Sequence, residues 1–244
     1  MSYERDTRLE QGRTSAAEGE TDYGGRVADA CACVGGSDAT VEGGGEGGQS
    51  KAGRQSQRLI EWATRRGLLV PDSAFDAPKK LPEVTAEHEV FYRADDGRIV
   101  KRTYAGTCGM SEGEPGSGET TPLFYFNRIV LMNREFGTDV RLEGVWMGDG
   151  VLTGWRGHGK QPAIVTSQAW IRGADLDNPN PTSREVQDYL SSFGFEPWGL
   201  RRNAWMREDG MYILDAHNQN FIKSAAGIVP VDLVIGSQSS GISY

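Results

Sequence analysis

Asp215, Asn220 and Asp232 are the residues of this chain whose types and spacing could do chemistry. They stand in Asp215-Ala-His217-Asn-Gln-Asn220 and, twelve residues on, in Val-Pro-Val231-Asp232-Leu. Metal-assisted phosphoryl transfer asks for such a set. An Asp at a strand end, on a rigid loop, accepts the proton of an attacking hydroxyl. An Asn five residues later curls back to the same side and offers a neutral oxygen to a metal. A second Asp after a short hairpin completes a hard-oxygen site of the kind magnesium prefers. The other reading is that Asp215 and Asn220 satisfy loop backbone, as turn Asp and Asn often do. The strand-like runs around the motif favour the chemical reading.

Phosphates also need a cation. Lys101 lies in Arg98-Ile-Val-Lys101, a β-rich run, upstream of an apolar helical pattern over 122–136. A lysine there could anchor phosphates, and a carboxylate on the helix could hold it; otherwise it is a solvated strand residue. Glu135 is the one acidic residue within that pattern. His217 could brace the loop or approach a phosphate; a plain loop hydrogen bond is the alternative. His88 and His158 have no partner at zinc-site spacing, and Cys31-x-Cys33 has no second ligand pair.

The elements that must position these residues can be read from pattern. Residues 56–70 form one amphipathic helix stopped by Pro71. Glu89–Arg93 and Arg98–Tyr104 flank Asp95-Asp96-Gly97, a hairpin signal. Residues 105–120 read as a flexible insert. Thr121-Pro122 opens the next helix, with Leu123, Phe126 and Val130 on one face and Gly137 as its stop. Strand-like runs follow at 140–147, 151–155 and 163–167. Thr182-Ser-Arg-Glu185 is a capping box for a helix through Phe193. Strands flank Asp209-Gly210, and a further pair, 221–222 with 228–231, separates Asn220 from Asp232. Strands and helices are segregated, so the class is α+β rather than a doubly wound sheet.

Composition concentrates its oddities at one end. Residues 1–50 hold eleven of the 33 glycines, no Trp or Phe, and ten acidic against four basic residues, most of the formal charge of −8. Such a segment buries little and reads as a disordered acidic tail. The rest is nearly neutral, which argues against a nucleic-acid partner. Three cysteines without framework spacing fit a reducing compartment, and no apolar run suits a membrane span. A cytoplasmic protein is the expectation.

Six blocks then carry a resemblance. Glu87-His88-Glu-Val90-Phe91-Tyr92, Gly97–Lys101, Phe136-Gly137 with Arg141–Gly144, Ile164–Gln168, Asp215–Phe221 and Val229–Leu233 come in order over roughly residues 85–236. The chain resembles the serine/threonine/tyrosine kinase domain found in polyvalent proteins of phages and conjugative elements. The resemblance implies an abbreviated two-lobe protein-kinase-like fold. A disordered tail over 1–53 and a helix and linker over 54–84 would precede an N-lobe over 85–170 and a C-lobe over 171–244. It implies ATP and Mg2+ as cofactors and an unidentified hydroxyl-bearing protein or small-molecule acceptor as partner. Asp215 becomes the base, with Lys101 and His217 beside it. Asn220 and Asp232 become the metal ligands. Lys101, Glu135 and Gln168 become nucleotide contacts, with adenine packed near Thr166–Trp170. Small-molecule kinases of the aminoglycoside and choline kinase type are similar in carrying Asp-x-His-x-x-Asn.

The departures support a second reading, a pseudokinase-like binding module of a mobile genetic element. No Gly-x-Gly-x-x-Gly precedes the strand at 89–92, and Asp232 is followed by Leu-Val rather than Phe-Gly. Twelve residues after Asp232 leave no activation segment and no helical platform for a protein substrate.

Overall fold

The computed structural model describes residues 17–36, 50–81, 87–108, 120–150, 159–175, 178–199 and 201–238. Three clusters of buried side chains form, and the two larger share one helix. The first packs against a six-stranded sheet through Leu142, Val145 and Ile164. Helices α1 (Ala17–Val34) and α2 (Lys51–Arg66) lead into β1 (Leu69–Val70) and β2 (Lys79–Lys80). The hairpin β3 (His88–Arg93) and β4 (Arg98–Thr103) turns at Gly97, whose φ is 63°. Helix α3 (Pro122–Phe136) follows, then β5 (Arg141–Asp149) and β6 (Lys160–Ala169). The sheet order is β1-β5-β6-β4-β3-β2. The strand expected at 151–155 lies outside the described residues, as does most of the 105–120 insert.

The second cluster holds α4 (Ser183–Ser192), β7 (Glu196–Pro197), β8 (Trp205–Met206), β9 (Met211–Leu214), the hairpin β10 (Phe221–Ser224) with β11 (Gly227–Pro230), and β12 (Val234–Ser237). Its four-stranded sheet runs β12-β9-β8-β7. Strand β12 was not expected. It starts two residues after Asp232 and pairs antiparallel with β9, the strand that delivers Asp215. Both carboxylates therefore hang from neighbouring strands of one sheet.

Helix α3 belongs to both cores. Tyr125, Phe126 and Ile129 pack with Leu142, Val145 and Ile164, while Met132 packs with Phe195, Ile213 and Leu233. Its start and stop follow the sequence. The Thr121 hydroxyl accepts from the Phe124 N–H at 3.3 Å, and Gly137 takes φ 63°. The buried stripe differs from expectation, because Val130 is exposed and Arg128 is buried. The capping box at Thr182 and Glu185 forms as expected.

Two expectations are corrected. The segment 1–53 is not uniformly a disordered tail, since Val27, Ala30 and Val34 of α1 are buried in the first core. Their spacing places them on one helical face. The Arg58 guanidinium caps the end of α1 by donating to the Gly36 carbonyl at 2.6 Å, and the Trp62 indole donates to Asp29 at 2.9 Å. Second, α2 runs over 51–66 rather than 56–70. The left-handed Gly67 ends it at φ 66°, and residues 69–70 join the sheet beside β5.

Candidate functional site

The fold brings Lys101, Gln168 and Asp232 together beside α3. On β4, alternation sends Val100 to the outer face, packed with Phe91 and Val165, and Lys101 to the face under α3. The Lys101 ammonium donates to the Val231 carbonyl at 2.6 Å and lies 3.9 Å from Asp232 Oδ1. The two ends of the expected phosphate-binding set are thus in contact.

Asp215 leaves β9 in the left-handed region at φ 58°, a conformation that Asp tolerates better than most residues. Its carbonyl accepts from the His217 N–H and from Asn220 Nδ2, each at 2.8 Å. Asn220 Nδ2 also reaches Asp215 Oδ2 at 3.1 Å, and His217 Nε2 lies 3.5 Å from that oxygen. The loop role of Asp and Asn is therefore real. It uses only part of each side chain: among the described residues, Asp215 Oδ1 and Asn220 Oδ1 accept from nothing. The hairpin β10–β11 pairs Phe221 with Pro230, and the Val231 N–H donates to the Asn220 carbonyl at 2.9 Å. That bond joins the Asp215 loop to the Asp232 segment.

Asp232 sits in a buried network that the sequence reading missed. Arg128 of α3 donates from Nη2 to Asp232 Oδ1 at 2.5 Å, from Nε to the Leu233 carbonyl at 2.5 Å, and from Nη1 to Glu87 Oε2 at 2.9 Å. The Arg128 and Glu87 side chains are 6% and 5% exposed, so neither charge is stabilised by water. Burial opposes the charge of Asp232, but Lys101, Arg128, His88 and His217 outweigh it and hold its carboxyl well below the usual range. Burial likewise opposes the charge of Arg128, and Glu87 and Asp232 reverse that. Glu87, His88 and Asp232 each offer a ligand atom within 4.8 Å of one another. The Arg128 guanidinium bonds two of the three and the Lys101 ammonium lies 3.9 Å from Asp232, so two cations compensate the two carboxylates without a metal.

Glu135 is not the partner of Lys101. It lies in the last turn of α3 and pairs with Arg207 at 2.8 Å and with Arg134 at 2.7 Å. The helix approaches Asp232 with an arginine instead, one turn after Tyr125 and one turn before Met132. An Arg on the buried stripe of α3 was the available signal.

A cleft beside these groups is lined by Lys101, Gln168 and Asp232, together with Tyr125, Arg128, Met132 and Thr166. Asp215, His217, Asn220 and Glu135 do not line it. The free space enclosed is only about 30 Å³, against roughly 300–1,000 Å³ for a small-ligand site. Gln168 is buried on β6, opposite Ile99. The Trp170 N–H is committed to the Gly97 carbonyl at 3.0 Å, so it cannot serve adenine in this arrangement.

The donor set suits a hard cation. Among the described residues, Asp232 Oδ2 accepts no hydrogen bond and its side chain is 27% exposed, and Asn220 Oδ1 is also without a partner. Both are anionic or neutral oxygens.

His88 gives a stability prediction. Burial pushes its pKa down from 6.5 to about 4; Asp232 and Glu87 pull it up, and Lys101 and Arg128 push it further down. Its Nε2 lies 2.9 Å from the Tyr125 hydroxyl. The unfolded chain takes up this proton near pH 6.5, and the folded chain near pH 4. The stability contribution is thus full above about pH 6.5 and is lost as pH falls towards 4, at up to about 1.4 kcal/mol per pH unit. Thermal melts from pH 7 to 5 should show this slope, and His88→Gln should flatten it.

Among the described residues, no helix is long and apolar enough to cross a membrane. No curated protein and no solved structure matches the chain. One family does, described as serine/threonine/tyrosine kinase found in polyvalent proteins, over residues 52–238. The match begins well before residue 85 and takes in α2, which packs in the same core as α3. With hairpin, helix, sheet and paired carboxylates in the order that family implies, the chain belongs to the serine/threonine/tyrosine kinases found in polyvalent proteins.

Proposed function

We propose that the chain transfers the γ-phosphoryl group of ATP to a hydroxyl acceptor with the help of Mg2+. The observation that carries this reading is the convergence of Lys101, Val231 and Asp232, tied through Asn220 to the Asp215 loop. When bound, ATP with magnesium supplies the phosphoryl group and the charge neutralisation for its transfer. Asp215 Oδ1 takes the proton of the acceptor hydroxyl as its oxygen bonds to phosphorus and the bond to the β-phosphate oxygen breaks. Asn220 Oδ1 and Asp232 Oδ2 hold the cation. The Lys101 ammonium exchanges the Val231 carbonyl for phosphate oxygens. His217 braces the loop from beside Asp215 Oδ2. Gln168 and Thr166 lie on the adenine side of the cleft.

Release of labelled γ-phosphate to an acceptor, to water or to the chain itself tests this. Wild type should turn over, and Lys101→Ala should lower kcat/KM at least about tenfold by loss of a charged phosphate contact. Equal turnover by the two proteins would refute the assignment.

The small enclosed space and the occupied ammonium favour a second reading, a binding module without turnover. Thermal melts separate the two. A catalytic site gains stability from ATP with magnesium beyond ATP alone. A binding module gains from nucleotide regardless of metal.

A further inference from the structure

Three consecutive residues near the proposed metal site are held by two cations from different elements. Lys101 of β4 takes the Val231 carbonyl. Arg128 of α3 takes Asp232 Oδ1 and the Leu233 carbonyl with one guanidinium, whose remaining nitrogen is bonded to Glu87. Both ion-pair contacts to Asp232 fall on Oδ1. The partition within this carboxylate is the informative feature. Oδ1 accepts from Arg128 at 2.5 Å and lies 3.9 Å from the Lys101 ammonium, while Oδ2 accepts from no described residue and the side chain is 27% exposed.

We infer that Arg128 is a positioning residue that fixes Asp232 through Oδ1, presents Oδ2 alone to the cleft, and so limits the site to one divalent cation per nucleotide. This rests on the nucleotide-binding reading given above. A carboxylate with both oxygens open can chelate one cation or bridge two. Asp232 can do neither while Arg128 holds Oδ1. Glu87 is part of the device. Its carboxylate balances the guanidinium, so Arg128 can spend one nitrogen on Asp232 without burying a net charge. A lysine could not replace Arg128, since one ammonium lacks the planar fork that reaches Glu87, Asp232 and Leu233 together.

The test is the number of Mn2+ ions bound per molecule of a non-hydrolysable β,γ-imido ATP analogue, read from the loss of free Mn2+ electron-paramagnetic signal with protein in excess. Wild type should bind one. The double variant Arg128→Met with Glu87→Gln removes both buried charges together and keeps the site folded, which a urea melt verifies. It should bind two, because Oδ1 is released. Two ions in wild type, or one ion of unchanged affinity in the double variant, would overturn the inference and leave the kinase reading standing. Absence of analogue binding at any Mn2+ concentration would overturn both.

Discussion

Asp215→Asn lowers the rate of phosphoryl transfer about 10²- to 10⁴-fold, the range for loss of a positioned general base. The fold should not register the change. Asp215 is half-buried and left-handed, at φ 58°, and Asn occupies that region as readily as Asp. Two contacts that close the loop run to the Asp215 carbonyl, which the substitution keeps, and the Asn220 amide that reaches Oδ2 can donate to the new side-chain oxygen. Stability should therefore stay within about 0.5 kcal/mol of wild type. Because Asp215 does not line the nucleotide cleft, KM for ATP should hold while kcat falls. Steady-state kinetics on wild type and Asp215→Asn measure this directly. An unchanged kcat would show that Asp215 serves the loop alone.

Arg128→Met has the largest expected effect on stability. It leaves the Glu87 carboxylate buried and Asp232 without its closest partner. Breaking one side of a buried ion pair costs about 3–5 kcal/mol. Adding Glu87→Gln removes the stranded charge, and the double variant should recover most of the loss. The non-additivity is the signature of a network rather than of two independent sites. Urea unfolding of wild type, both single variants and the double variant completes the cycle. If Arg128→Met alone costs under about 1 kcal/mol, the guanidinium is not the hub described here.

The parts of the fold that were legible in the sequence carry local chemical signals. Thr121-Pro122 and Gly137 bound α3, Thr182 with Glu185 starts α4, and Asp-Gly pairs turn two hairpins. These act over four residues or fewer. What failed depends on distant partners. Helix α1 lies in a Gly-rich acidic segment whose composition hid three apolar residues at helical spacing. Strand β12 is short, and its pairing with β9 spans about twenty residues with a hairpin between.

The site divides along the same line. Asp215, Asn220 and Asp232 are readable because their spacing is set by one loop and one hairpin. Lys101 is readable because strand alternation fixes its face. Glu135 was chosen as the only carboxylate on α3, yet its position at the helix end points it at Arg207. Arg128 and Glu87 are 41 residues apart and meet only through packing. Polarity on a buried stripe was the trace of Arg128, and Glu87 stood in the first of the matching blocks.

The central claim is that Lys101, Asp215, Asn220 and Asp232 form one metal-assisted nucleotide site. Calorimetric titration of ATP, with and without Mg2+, into wild type and Asp232→Asn tests it most directly. Mg2+ should tighten ATP binding at least about tenfold in wild type, equivalent to one charge-assisted contact of roughly 1.4 kcal/mol. Asp232→Asn should abolish that gain. Binding indifferent to Mg2+ in wild type, or a gain that survives Asp232→Asn, would contradict the account.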